Sequence, residues 1–200
     1  MRDQLENRKL PDSPSAGADD REAAEASSPE REAGKPKSRK ASIFGFLVIA
    51  AAIVAVIALF FPILRIYGSS MSPNLNEGEV VLSVKSSHVK QGDVVAVNFG
   101  NKLLVKRCVA VAGQQINIDA EGTVSVDGQP LEEPYLAEKA LGDCTTQLPY
   151  QIPEGQYFVM GDNRSKSQDS RNANVGCVAG EQILGKVLLC IWPLSSFGIV

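Results

Sequence analysis

From Ile43 to Leu64 the chain reads IFGFLVIAAAIVAVIALFFPIL, without one charged side chain. As a helix rising about 1.5 Å per residue this run spans roughly 30 Å, the thickness of a bilayer's hydrocarbon core. It is apolar on every side, which a helix that shows one face to water is not. It is too long for a cleavable secretory leader and begins too far from the first residue. The run therefore predicts a retained transmembrane helix over 42–65, with Pro62 near its outer end, where a helix can stop at little cost.

The two flanks of that run differ in charge. Arg31, Lys35, Lys37, Arg39 and Lys40 crowd the N-terminal side against Glu32, whereas the C-terminal side offers only Arg65 before a glycine-serine stretch. The positive-inside rule then predicts a single pass through the cytoplasmic membrane, with the N-terminus in the cytoplasm and residues 66–200 outside. Residues 1–41 carry Pro11, Pro14, Pro29 and Pro36 and almost no large apolar side chain, so they read as a disordered cytoplasmic tail.

The part beyond the membrane, about 135 residues, is long enough to bury a core. Short strands are predicted at 79–84, 93–99, 103–111, 116–118, 123–126, 157–160 and 187–192, with Gly100-Asn101 as a hairpin turn. Residues from about 114 to 155, rich in proline, read as a loop-rich inserted region. The expected fold is mainly β: a small, antiparallel, barrel-like domain behind one transmembrane helix.

Composition removes several kinds of chemistry. A net charge of -3 is ill suited to neutralising phosphates, so no nucleic-acid partner is expected. His88 is the single histidine, in a polar turn, which excludes a multi-histidine zinc site and leaves a Ser-His-Asp triad one residue to use. The four cysteines, at 108, 144, 177 and 190, are too widely spaced for a C-x-x-C metal motif. No metal or other cofactor is expected.

Three places could carry chemistry. Lys106 and Arg107 are adjacent in LLVKRCVAV, so on a strand they face opposite sides, and both sides are otherwise apolar. One cation at least is then partly desolvated. Burial lowers a lysine pKa, and a neutral amine is a competent general base, which arginine is not. Taken alone, the strand favours the plainer reading of a snorkelling lysine. Upstream, Tyr67-Gly68-Ser69-Ser70-Met71-Ser72-Pro73 offers serines with no acid or base beside them; such serines are ordinarily loop residues. Finally, Gly161-Asp162-Asn163-Arg164-Ser165-Lys166-Ser167-Gln168-Asp169-Ser170-Arg171 reads either as a polar surface loop or as a buttress pairing carboxylates with arginines.

Taken in order, Ser70–Pro73 (SMSP), Gly92–Val95 (GDVV), Val105–Arg107 (VKR) and Gly161–Arg171, all behind an N-terminal anchor, resemble the bacterial type I signal peptidases over roughly residues 65–195. The single anchor and short insertion resemble the small Gram-positive-type members. The resemblance implies a metal-free serine endopeptidase that removes signal peptides from exported preproteins after small residues. It implies Ser70 as nucleophile, Lys106 as general base, and the Ser70 backbone N–H as an oxyanion donor. Ser167 would orient the Lys106 amine, Asp169 and Arg171 would form a supporting ion pair, and Arg107 and Asp162 would join the same shell. Gly68, Ser69, Met71 and Pro73 would contact substrate. The implied partners are secretory preproteins, the lipid bilayer and the protein export channel.

The chain departs from the family pattern in places. Some members have a serine where Gly68 stands, and its hydroxyl completes the oxyanion hole; others have glycine. Ser72 and Asn74 replace a commoner bulky residue and a threonine. Cys144 and Cys177, in loop-like sequence, are the candidate disulfide, with free thiols the alternative. Trp192 is expected in the core, while Phe197 and the apolar C-terminal run are candidates for the lipid surface. A self-cleaving repressor with the same dyad would need a DNA-binding head, which the proline-rich N-terminal stretch does not resemble. A catalytically inactive, membrane-anchored binding or scaffold protein of this fold is the remaining alternative, against which stand the intact Ser70 and Lys106.

Overall fold

The computed structural model describes residues 39–86 and 88–200. Residues 1–38 of the tail assigned to 1–41, with Arg31, Lys35 and Lys37 of the basic flank, lie outside the described residues, whereas 39–41 belong to the helix described next.

Helix α1 (Arg39–Phe60) carries the apolar run. It is long and apolar enough to cross a membrane, and its large side chains from Ile43 to Phe60 are exposed all round. The helix is shorter at its outer end than the predicted 42–65. Pro62 supplies no N–H to continue the helix and disfavours helical geometry in Phe61 before it. The chain instead extends, and Ile63–Arg65 form strand β1. The junction is tied down: Ser83 donates from both N–H and Oγ to the Pro62 carbonyl, and Lys85 N–H donates to the Phe60 carbonyl.

β1 opens an antiparallel sheet with β2 (Val80–Val84), β3 (Val94–Phe99) and β4 (Lys102–Val111). The chain then leaves to build a second sheet from β5 (Gln115–Ile118), β6 (Val124–Val126), β7 (Gln129–Pro130) and β8 (Tyr150–Gln151). It returns as β9 (Gln156–Met160), β10 (Val178–Ala179), β11 (Ile183–Trp192) and β12 (Gly198–Ile199). The main sheet runs β1-β2-β11-β3-β4-β9-β10, with β12 beside β11, and the second runs β7-β6-β5-β8. Every recorded pairing is antiparallel. The fold is thus mainly β, as expected. The β3–β4 hairpin turns at Gly100, whose φ of 61° is the left-handed geometry that glycine adopts without strain.

β4 is the strand that all the core clusters share. Val105 packs on the cluster of Ile66, Met71, Leu75 and Val81. Leu104 and Cys108 join Val95, Val97 and Val159, while Val109 and Ala110 join the cluster of Ile116, Ile152, Phe158 and Met160 that links the two sheets. A residue in the middle of β4 is therefore enclosed whichever way it points. Trp192, by contrast, is 59% exposed and not in the core. It ends β11, in the last pair with β2 (opposite Val80), beside the exposed Leu194, Phe197 and Ile199. All four cysteines are free thiols, so the candidate Cys144–Cys177 bridge is not formed. Burial pushes the Cys108 thiol up to about 12 and that of Cys177 up to about 11, which makes both inert.

Candidate active site

Ser70 is placed by a turn whose apolar residues are core. Met71 and Leu75 are fully buried, Ser72 N–H donates to the Ser69 carbonyl, and Leu75 N–H donates to the Met71 carbonyl. Gly68 enters this turn with φ of 79°, where any other residue would be strained although there is open space for a Cβ. Backbone geometry thus gives position 68 its own reason to be glycine.

Lys106 and Arg107 are both buried, at 4% and 7% exposure, so the expected desolvation falls on both cations and not on one. The strand then separates them. Lys106 Nζ reaches Ser70 Oγ at 2.7 Å. Arg107 grips Asp162 with two parallel bonds, Nε to Oδ1 at 2.8 Å and Nη2 to Oδ2 at 2.7 Å, and donates from Nη1 to the Gly92 carbonyl. Burial pushes the Lys106 ammonium down from the ordinary lysine value; Asp169 and Asp162 pull it up and Arg171 pushes it down, and the net shift is downward.

The loop after β9 folds back over these residues. Asp169 and Arg171 form a fully buried pair through Nε–Oδ1 and Nη2–Oδ2, each 2.8 Å, and Arg171 Nη1 also caps the Leu141 carbonyl at 2.7 Å. Burial alone would raise the Asp169 carboxyl. The Arg171 guanidinium and the Gly161 N–H outweigh it and hold Asp169 below the usual carboxylate range. Asn163 N–H donates to the Ser70 carbonyl at 3.0 Å, which ties this loop to the serine turn. Ser167 differs from expectation. Its hydroxyl is buried, packs over Gly161 and lies near enough to help keep Asp169 ionised, but it makes no hydrogen bond of good geometry, to Lys106 or elsewhere.

Two further residues, which no sequence motif singles out, enter the site. The face of the Tyr135 ring lies under Arg107, with the guanidinium carbon 4.1 Å from the ring centroid, and its hydroxyl donates to Glu133 at 2.8 Å. Glu133 pairs in turn with Arg164, both side chains almost wholly enclosed. Asn74 joins the nucleophile turn to this group, donating from Nδ2 to Asp162 Oδ2 at 2.9 Å and to the Tyr135 carbonyl at 2.7 Å. Glu133 and Tyr135 come from the excursion that carries the second sheet, 28 and 26 residues before Gly161 in the chain. No spacing rule connects them to it.

A cleft of about 430 Å³ runs from β1 to Ser70 and along the first half of β4, lined by Ile63, Leu64, Ile66, Met71, Leu103 and Leu104 before it reaches Lys106. β1 lies at the end of its sheet, and β4 pairs with β9 only from Arg107 onward. Two free strand edges therefore border the cleft. Among the described residues no three His, Cys, Asp or Glu side chains converge as a metal site.

A buried lysine amine on a serine hydroxyl, braced by ion pairs on an antiparallel β scaffold, is the arrangement of a serine hydrolase that uses lysine as its base. The family model described as "Signal peptidase, peptidase S26" matches residues 39–192. A signal peptidase I of Bacillus licheniformis is 32% identical over 182 residues, 81% of this chain and 95% of that one. Signal peptidase I T of Bacillus subtilis is 33% identical over 178 residues, 81% and 91% of the two chains, and signal peptidase IB of Staphylococcus aureus is 36% identical over 152 residues, 66% and 78%. A crystal structure of a signal peptidase I from Enterococcus faecalis aligns at 26% identity with a TM-score of 0.42, over 50% of this chain and 96% of its own. On its sequence relatives the chain belongs to the signal peptidase family, peptidase S26.

Proposed function

We propose that Ser70 and Lys106 carry the chemistry of this enzyme. As a signal peptidase the chain is a serine protease that removes signal peptides from preproteins, and its family is membrane-anchored. The observation that supports the dyad is the 2.7 Å contact between Lys106 Nζ and Ser70 Oγ inside a desolvated site.

In this reading neutral Lys106 takes the Ser70 hydroxyl proton as Oγ attacks the carbonyl carbon of the scissile bond. The Ser70 backbone N–H donates to the oxyanion that forms; Gly68 supplies no side-chain donor. Lys106, now an ammonium, gives its proton to the leaving amine, and the N-terminus of the mature chain departs. Water, deprotonated by Lys106, then hydrolyses the ester on Ser70, releasing the signal peptide as a carboxylate and restoring both residues. Asp169–Arg171 and Arg107–Asp162 hold the walls of the site, and Ser167 flanks Asp169.

The cleft favours an extended peptide. A substrate strand can add to the free edges of β1 or β4, as peptides do to exposed sheet edges. The apolar lining suits small apolar residues before the cut. Met71 faces that cleft, Gly68 and Ser69 approach it through the same turn, and Pro73 lies on the far side of the nucleophile. With the basic flank of α1 in the cytoplasm the catalytic domain stands outside, where preproteins leave the export channel. Exposed Trp192, Leu194, Phe197 and Ile199 give that domain an apolar edge suited to the bilayer surface. Cleavage of a purified preprotein, with Ser70→Ala and Lys106→Ala beside the unaltered chain, tests the dyad.

A further inference from the structure

A peptide bond presented to Ser70 has chain on both sides of it, yet the cleft along β1 and β4 ends at Ser70 and Lys106. Beyond the nucleophile a second groove of about 360 Å³ opens. It starts at Ser72 and Pro73, just after Ser70, and passes between the 137–140 and 162–166 segments. Its floor is rigid, because Asp162 and Arg164 are buried in ion pairs with Arg107 and Glu133. Its wall is linked to the nucleophile through the Asn163 N–H to Ser70 carbonyl bond.

The two concavities differ in chemistry. The first is lined mainly by aliphatic side chains and begins next to the membrane helix. The second presents Ser72, Asn163 and Ser165, with exposed Glu138 and Lys166 offering one charge of each sign. An apolar signal segment suits the first; a polar chain that continues beyond the cut suits the second.

We infer that the second groove is a subsite for the first residues of the mature chain, those that follow the cut, and that it contributes to choice of substrate. The inference rests on the reading above, in which Ser70 attacks the junction.

The test compares two peptides with the same residues before the cut. One continues for several polar residues after it; the other ends in a single residue amide. The expected result is a roughly tenfold higher kcat/KM for the long peptide, carried by KM. Ala137→Trp, a change at an exposed position on the groove wall, should bring the long peptide down to the level of the short one and leave the short one unchanged. Lys166→Glu should shift preference from long peptides bearing Asp after the cut towards those bearing Lys. Equal kcat/KM for the two peptides, or an Ala137→Trp loss that falls on both alike, would overturn the inference. Binding of the uncleaved peptides to Ser70→Ala gives the same comparison without catalysis. If neither peptide is cleaved by the unaltered chain, the reading of Ser70 fails, while tighter binding of the long peptide still decides for the groove and equal binding against it.

Discussion

Lys106 Nζ lies 2.7 Å from Ser70 Oγ, although the two residues stand 36 positions apart and arrive from a surface turn and an interior strand. The lysine is almost wholly enclosed. That combination of contact and burial determines how the site should respond to pH.

A lysine base works only when neutral, and burial moves this one down from its ordinary value of 10.5. The kcat/KM of the enzyme should therefore rise with pH through the folded Lys106 pKa and level off at a lower pH than an ordinary exposed lysine would allow. A pH–rate profile on a peptide substrate without titrating groups measures this. A limb centred at or above 10.5 would contradict the role of burial.

The same shift has a consequence for stability. A lysine whose folded pKa is depressed costs stability at low pH, where it must be charged inside the fold. The cost is relieved as pH rises from the folded value towards the unfolded one, where the unfolded chain binds more protons. Lys106→Met, close in shape and uncharged, should abolish activity and yet raise the melting temperature near and below neutral pH. Asp169, also shifted down, gives a slope of the same sign at acid pH. Its carboxyl is held low, so its contribution is present above the unfolded carboxylate pKa and lost as pH falls through the folded value. Thermal melts of both proteins over a pH series check the sign.

Gly161 begins the loop after β9 and packs against the serine turn. A Cβ there would clash with both the Ser70 carbonyl and Ser167 Oγ. Because one of those neighbours is backbone, the serine turn itself must move. Gly161→Ala is expected to lower kcat by about 100-fold, the scale of a misplacement near 1 Å. Its KM should change less than kcat, since the β1 and β4 walls of the cleft do not contact Gly161. Steady-state kinetics on one peptide separates the two.

How far the sequence reveals this molecule depends on the range of the contacts involved. The β3–β4 hairpin is legible because Gly100 sits between alternating strands, and the long apolar helix because 22 residues lack charge. The end of that helix is not, since Ile63 and Leu64 continue the apolar run and only Pro62 marks the change to β1. Ser70, Lys106 and the arginine–carboxylate loop could be selected as candidates through their ordered motifs. The strand pattern requires one of Lys106 and Arg107 to be desolvated; that both are buried follows from β4 being shared by every core cluster, a property of topology. Glu133 and Tyr135 were invisible for the same reason: they reach Arg164 and Arg107 only because the second sheet folds back. Trp192 was misplaced because an apolar strand end does not say whether protein or another medium covers it.

Arg107, Asp162, Tyr135 and Asn74 form one connected group around a buried ion pair, so their effects should not add. Asp162→Ala leaves the Arg107 guanidinium enclosed without its carboxylate and should cost about 3–5 kcal/mol of stability. Tyr135→Leu removes the ring beneath the same guanidinium, and Tyr135→Phe keeps the ring but frees the Glu133 carboxylate oxygen. Denaturant melts of Asp162→Ala, Tyr135→Leu and their double variant should show a coupling of about 0.5–3 kcal/mol. Additive losses would mean that the ring and the ion pair act independently.

The central claim is that Ser70 attacks and Lys106 takes its proton. The most direct measurement incubates a purified preprotein, in detergent and over a pH series reaching alkaline values, with the unaltered chain, Ser70→Ala or Lys106→Met, each shown to be folded. The expected result is one cut after a small residue by the unaltered chain and none by either variant, with the Ser70 hydroxyl recovered as an ester to the signal-peptide carboxyl when the reaction is quenched early. A cut retained by either folded variant, or no cut by the unaltered chain at any pH, would contradict the dyad.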